Sequence, residues 1–330
     1  MRMQTLTLRQ LVTGFAACLG FACLAPAVSH AQAWIQEKGH ASIAVGYQYK
    51  YVKYHLFGVN MEGAVFKGYE GGPGNKLAEG DIITNLGSFD FDYSVLDRLA
   101  LSGGVAYVSS QYKGGAAHPA PDGGPPIIDN GSFHPTFQDG TLKARYVALG
   151  RTIVVTPFVG LRFPLHDYVT LAHSAVGRNL RELQVGTNLG MSLNSLLLGA
   201  FIQGSYAYTF VEEVADYNLR RQLFAGELGY YVTSKLAVRG FAEHNRTTGG
   251  VASIIQASPL EFSAEFTAHG LEHDVITNEW YTHVGAGLNY GLGSYFLFAI
   301  GYVTVAGEES HDSSSITAGI GWNFKTPLAD

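Results

Sequence analysis

The chain has 330 residues with 41 Gly, 19 Tyr and 19 Phe, only 15% charged residues and a formal net charge of −6. An acidic balance argues against a nucleic-acid partner. Two cysteines give no disulfide framework. After the N-terminal leader, no second apolar run is long enough for a spanning helix, so so much Gly and Tyr suggests a large all-β wall.

Residues 1–33 read as a leader. Arg2 and Arg9 form a positive start, Leu11 to Ala27 an apolar run broken by Pro26, and Ala31-Gln32-Ala33 an A-x-A cleavage site. The mature chain is expected to begin at Trp34; cleavage after Ala31 fits almost as well. Cys18 and Cys23 both fall in the leader, and neither has the upstream Leu of a lipidation site. Removing the leader takes two of the 21 basic residues and no acid, leaving 19 against 27 and a net charge of −8.

From Gly39 onward the chain alternates apolar and small or polar residues with the period of two that a strand imposes. Expected strands are 41–51, 83–95, 99–109, 142–149, 154–163, 183–191, 198–210, 223–232, 236–243, 280–290, 296–304 and 315–324. Five tight turns alternate with six variable connections. Pro157 lacks a ladder donor, so the fifth strand is expected to bulge there or to begin after it. The last strand is the clearest: Ile316, Ala318, Ile320, Trp322 and Phe324 share one face, with aromatics where a membrane interface would hold them.

No Asp, Glu, Lys or Arg lies centrally on the apolar parity of any proposed span. Lys50, Asp90, Asp92, Lys143, Arg145, Arg162, Glu182, Glu227, Arg239 and Glu243 take the other parity. A basic residue facing lipid at mid-bilayer costs about 2–4 kcal/mol, so the oily row, Val284, Ile300 and Ile320 among it, is expected to face lipid and the charged row a lumen. The expected fold is a 12-stranded transmembrane antiparallel up-and-down β-barrel over residues 34–330, in a bacterial outer membrane.

The run Gln138-Asp139-Gly140-Thr141-Leu142-Lys143-Ala144-Arg145-Tyr146, the strand ending Phe163-Pro164, the turn Leu96-Asp97-Arg98-Leu99-Ala100-Leu101 and the closing Gly-x-Gly-x-Asn-Phe resemble the outer-membrane family labelled meta-pathway of phenol degradation. The resemblance spans most of the mature chain and implies passage of aromatic or other apolar compounds. Lys325 to Asp330 depart from the common ending in a terminal Phe.

The pore-lining candidates are Asp90, Asp92, Lys143, Arg145, Arg162, Glu227, Arg239 and Glu243. The turn at Ser234 is expected to bring Glu227 near Arg239, either as a brace for the wall or as a polar stripe that orients a permeant. Phe158, Phe241 and Tyr281 share the inward parity. His269-Gly270-Leu271-Glu272-His273 matches a zinc spacing that needs a helix, but it sits in the longest loop; no metal site is assigned, and the residual reading is a weak contact from His269, His273 and His283. Gly285-x-Gly287 and Gly319-x-Gly321 lie in strands with no helix to bind phosphate. No cofactor or energy-coupling domain is expected; the partners are membrane lipid, a small solute and the outer-membrane assembly machinery. Two alternatives stay open: a lipase-like outer-membrane enzyme, for which His244 is the histidine near the lipid face, and a structural or adhesive barrel with partner-binding loops.

Overall fold

The computed structural model describes residues 32–261, 263 and 270–327; the leader up to residue 31, with Cys18 and Cys23, and His269 lie outside them. Twelve long strands follow one another: β1 (His40–Leu56), β2 (Lys76–Leu96), β3 (Leu99–Lys113), β4 (Asp139–Tyr146), β5 (Ile153–Pro164), β6 (Glu182–Ser192), β7 (Ala200–Val211), β8 (Arg220–Tyr231), β9 (Leu236–Thr248), β10 (Trp280–Leu292), β11 (Tyr295–Glu308) and β12 (Ser310–Lys325). Each pairs antiparallel with the next. β12 pairs back onto β1 from His40↔Lys325 to Leu56↔Ser310, so the sheet closes and has no edge. Closure leaves the spanning wall without an open strand edge, which is what hydrocarbon demands.

At about 3.3 Å per residue, the 17 residues of β1 run roughly 55 Å. Tilted by about 40°, they stand roughly 40 Å tall against an apolar band of about 25 Å. β1, β2, β3, β9, β11 and β12 thus rise beyond the bilayer on the long-loop side and outrun the spans expected from alternation, whereas β4 with 8 residues and β7 with 12 do not.

Exposure follows the expected parity. Val45, Tyr47, Phe89, Leu161, Leu228 and Val284 look outward, and Ile316 is 61% exposed. At the short-turn rim Trp322 stacks on Tyr295 at 6.4 Å and lies 4.6 Å from Phe324, an interfacial girdle. With a lipid-facing belt of this kind, the chain resides in an outer membrane.

One expectation is overturned. Ile300 is 4% exposed and faces the lumen with Phe296 and Phe298, whereas Leu297 and Val303 face out. The cause is the turn: Leu292 pairs with Tyr295, so only Gly293 and Ser294 intervene. A three-residue turn over Gly291 to Gly293 would put the opposite row outside, because a slip of one residue flips every side chain.

Pro157 neither bulges nor starts its strand, since β5 runs unbroken against β6 with Pro157 opposite Thr187. The accommodation is on the other neighbour. The Val155 carbonyl accepts from the Ala148 N–H at 2.9 Å, so the backbone groups of residues 155 and 157 point toward β4. There the register jumps between Arg145↔Phe158 and Leu149↔Val155, four residues against three. The missing donor thus falls at the interruption, where a proline is tolerated.

On the long-loop side the connection 249–279 carries α1 (Ile254–Glu261) and the short α2 (His273–Ile276). Leu219, Ala257, Leu271, Val275 and Ile276 pack with Leu180 and Val211 as an apolar lid over the mouth. Glu309, at φ +53° the single residue between β11 and β12, pins this lid. Its carboxylate accepts from the Ile254 N–H at the start of α1 (2.6 Å) and from the Gly58 N–H (3.2 Å). A carboxylate at a helix N-terminus satisfies donors that the helix leaves open.

Candidate functional site in the lumen

The inward rows of twelve strands define the site, and two devices shape it. The first is aromatic. Phe158 lies directly across from Gly186, Phe201 from Gly229, Phe241 from Gly285, Phe298 from Gly319 and Phe296 from Gly321. In each case a Cβ built on the glycine would fall between 2.0 and 2.5 Å from the ring. The ring therefore lies flat on the neighbouring strand instead of projecting into the lumen, covering backbone that glycine exposes. Gly285, and both glycines of the Gly319-x-Gly321 pair, seat three of these rings, whereas Gly287 lies against the Arg239 side chain and the Ala299 carbonyl.

The second device is ionic, in two layers. Toward the short turns, Arg145 of β4 reaches across β3 to pair with Asp92 of β2; the intervening residues, Ser102 and Ala100, are small enough to let it pass. On the facing wall Arg239 Nη1 donates to Glu227 Oε2 at 3.0 Å. Glu227 Oε1 accepts from Gln203 Nε2 at 3.2 Å. Toward the loops Glu182 pairs with both Arg162 and Arg221, and Arg178 with Glu279. Paired charges of this sort keep buried ions satisfied and leave little net field.

The remaining candidates stand apart from these pairs. Lys143 Nζ sits 4.7 Å over the Phe158 ring, a cation–π contact. Asp90 and Lys143 line a cavity of about 290 Å³ together with Ser42, Ser88, Thr141, Arg162 and Gln184. Glu243 faces inward opposite His283, and that imidazole stacks on Tyr302 (4.4 Å) and lies tilted against Tyr281 (4.6 Å). His244 is on the outer wall between Phe224 and Trp280, with Nδ1 3.1 Å from the Thr282 hydroxyl.

Residues 32–34 run inside the barrel. The Gln32 carbonyl accepts from Asn188 Nδ2 (3.2 Å) and Arg145 Nη1 (3.5 Å), and the Ala33 carbonyl from the Thr156 hydroxyl (2.6 Å). The Ala33 N–H donates to Gln203 Oε1 (3.1 Å), and the Trp34 ring meets Phe201 edge-on at 6.0 Å. This strap crosses between the two ion pairs and narrows the lumen near its short-turn end. Sequence reading missed the strap and its holders Asn188, Thr156 and Gln203, whose neutral side chains give no signal beyond inward parity. Arg221 was within reach: it continues the inward row of Leu223 beyond the expected start of that strand.

No family model and no curated protein matches the chain. Among solved structures it is similar to the COG4313 outer membrane channel from Pseudomonas putida F1, at a TM-score of 0.60 and 13% identity over 91% of this chain and 100% of that one. The fold is that of an outer-membrane barrel. Weaker likenesses are to the translocator domain of the autotransporter NalP from Neisseria meningitidis (TM-score 0.49, 12% identity, 95% of this chain and 98% of that one) and to a KdgM porin in complex with disordered oligogalacturonate (TM-score 0.41, 9% identity, 86% and 99%).

Proposed function

We propose that the barrel gives passive passage across the outer membrane to small apolar or aromatic solutes. The observation that carries this reading is the lumen wall itself: five phenylalanines laid flat on cross-strand glycines, between ion pairs that neutralise one another. A wall of that kind offers a planar apolar solute flat contact surface, and most of the charge beside it is held in pairs. The likeness to an outer membrane channel, and the resemblance to the phenol-degradation family, support the same reading.

The lid over the mouth, and the strap at 32–34 in a chain cleaved after Ala31, make the path narrow, so sparse, low conductance is expected beside faster entry of apolar than of charged solutes. Purified protein in planar bilayers and in liposomes loaded with an aromatic-sensitive reporter tests this. Entry of an aromatic solute above protein-free liposomes, with at most small ionic conductance, supports the proposal. Neither entry nor conductance would leave a sealed barrel whose loops act on a partner, and lipid hydrolysis would point to the enzyme reading at His244.

A further inference from the structure

We infer that the loop side of the barrel carries a binding site for one divalent transition-metal ion, of the Zn²⁺ class, built from His55, His311 and Asp274. His55 near the end of β1 and His311 near the start of β12 are direct cross-strand partners at the seam where the barrel closes. Their rings lie 4.6 Å apart. Asp274 comes from α2 in the lid. Its Oδ2 lies 3.5 Å from His311 Nε2 and its Oδ1 3.9 Å from His55 Nε2. The three donor atoms lie within 4.8 Å of one another, and His55 is buried.

The spacing suits the ion. With metal–ligand bonds of about 2.0–2.1 Å, a tetrahedral site sets its ligand atoms roughly 3.3 Å apart; His311 Nε2 lies near that distance from Asp274 Oδ2 at 3.5 Å, and His55 Nε2, 3.9 Å from Asp274 Oδ1, has to close in for binding. His273 Nε2, 3.2 Å from Asp274 Oδ1, is the nearest further donor for a fourth position. Imidazole nitrogens with one carboxylate favour zinc, nickel or copper over the oxygen-seeking calcium and magnesium. A second histidine–carboxylate group nearby, His118 and His173 around Asp129, is a less suitable ion site. Asp129 already accepts from the backbone N–H groups of His118, His173 and Ser174 and from the Ser174 hydroxyl, so it reads as a staple between two loops.

An ion bound at His55, His311 and Asp274 would clamp the lid to two strands fixed by barrel closure. The inference does not depend on which solute crosses the lumen. The test is isothermal titration of Zn²⁺ into the purified full chain in detergent, made without a histidine tag, with Co²⁺ as a spectroscopic substitute. Expected are one equivalent of Zn²⁺ bound in the micromolar range or tighter and a visible Co²⁺ ligand-field band of tetrahedral intensity. His311→Gln and Asp274→Asn should each weaken binding at least tenfold and remove the band. His134→Gln, at an exposed histidine of another connection bonded to Asn130, should change neither. Heat-modifiable gel migration checks that each variant keeps its barrel; should Asp274→Asn lose it, His55→Gln on the seam strand replaces it. No Zn²⁺ uptake by the wild type, or undiminished affinity in folded H311Q and H55Q, would overturn the inference.

Discussion

The Glu227–Arg239 pair bears most heavily on how the lumen is held. Both side chains are almost fully buried (6% and 4% exposed) and bond at 3.0 Å, and Gln203 links Glu227 to the strap at Ala33. Arg239→Met removes the cation of this pair and keeps the bond from Gln203 to the carboxylate. Stranding a buried ion in this way costs about 3–5 kcal/mol, whereas replacing both partners by apolar groups of similar size is roughly neutral. The double variant E227L/R239M should therefore recover most of what R239M loses, a coupling of about 2 kcal/mol or more. Reversible urea unfolding of the detergent- or lipid-embedded barrel, followed by tryptophan fluorescence and gel migration, measures both. An R239M loss below about 1 kcal/mol, or a double variant no better than the single, would refute the picture of a dry, mutually dependent pair.

Other consequences follow from particular contacts. Gly229→Ala places a Cβ 2.0 Å from the Phe201 ring, so the ring must swing off the wall toward Trp34, its edge-on neighbour. Slower solute entry and a shifted Trp34 fluorescence are expected, and unchanged values of both would contradict the seating role of the glycine. For Asp129, burial pushes the carboxyl pKa up, but the hydrogen bond from His118, the charge of His173 and the bonds from Ser174 outweigh it and hold the group well below the usual carboxylate range. A depressed folded pKa gives stability that is present above the unfolded value of about 3.9 and lost as pH falls through the folded one. The loops joined at Asp129 should therefore resist proteolysis down to pH 4 in the wild type. Asp129→Asn should loosen them already at pH 7, and identical cleavage of the two proteins at pH 7 would speak against the staple.

Most of the wall was legible because alternation, parity and the cost of charge in lipid all act on adjacent residues. The closing strand shows this best: Ile316, Ile320 and Trp322 face out as their spacing requires. Between Phe296 and Val303 the logic failed because both parities are apolar, and only the length of the turn at Gly293 and Ser294 decides which row is inside. The expected neighbourhood of Glu227 and Arg239 was readable from the turn that joins their strands. The bond between Asp92 and Arg145 was not, since it spans an intervening strand. Nor could spacing reveal the histidine cluster. His55 and His311 are 256 positions apart and meet only because β12 closes on β1. The H-x-x-E-H spacing pointed to His273, yet its neighbours in space are His55 and His118.

The wall works as described only with its oily row toward lipid and its charged row toward the lumen. Because both cysteines lie within the leader reading, single-cysteine variants of the mature chain can carry a nitroxide at one position at a time. Relaxation by oxygen, which concentrates in hydrocarbon, is then compared with relaxation by a water-soluble nickel chelate. Labels at Val284, Ile316 and Ile320 should respond chiefly to oxygen, and a label at Ile300 should be shielded from the bilayer pool. Oxygen-dominated relaxation at Ile300 together with chelate-dominated relaxation at Ile320 would contradict the inside-out assignment of the barrel wall.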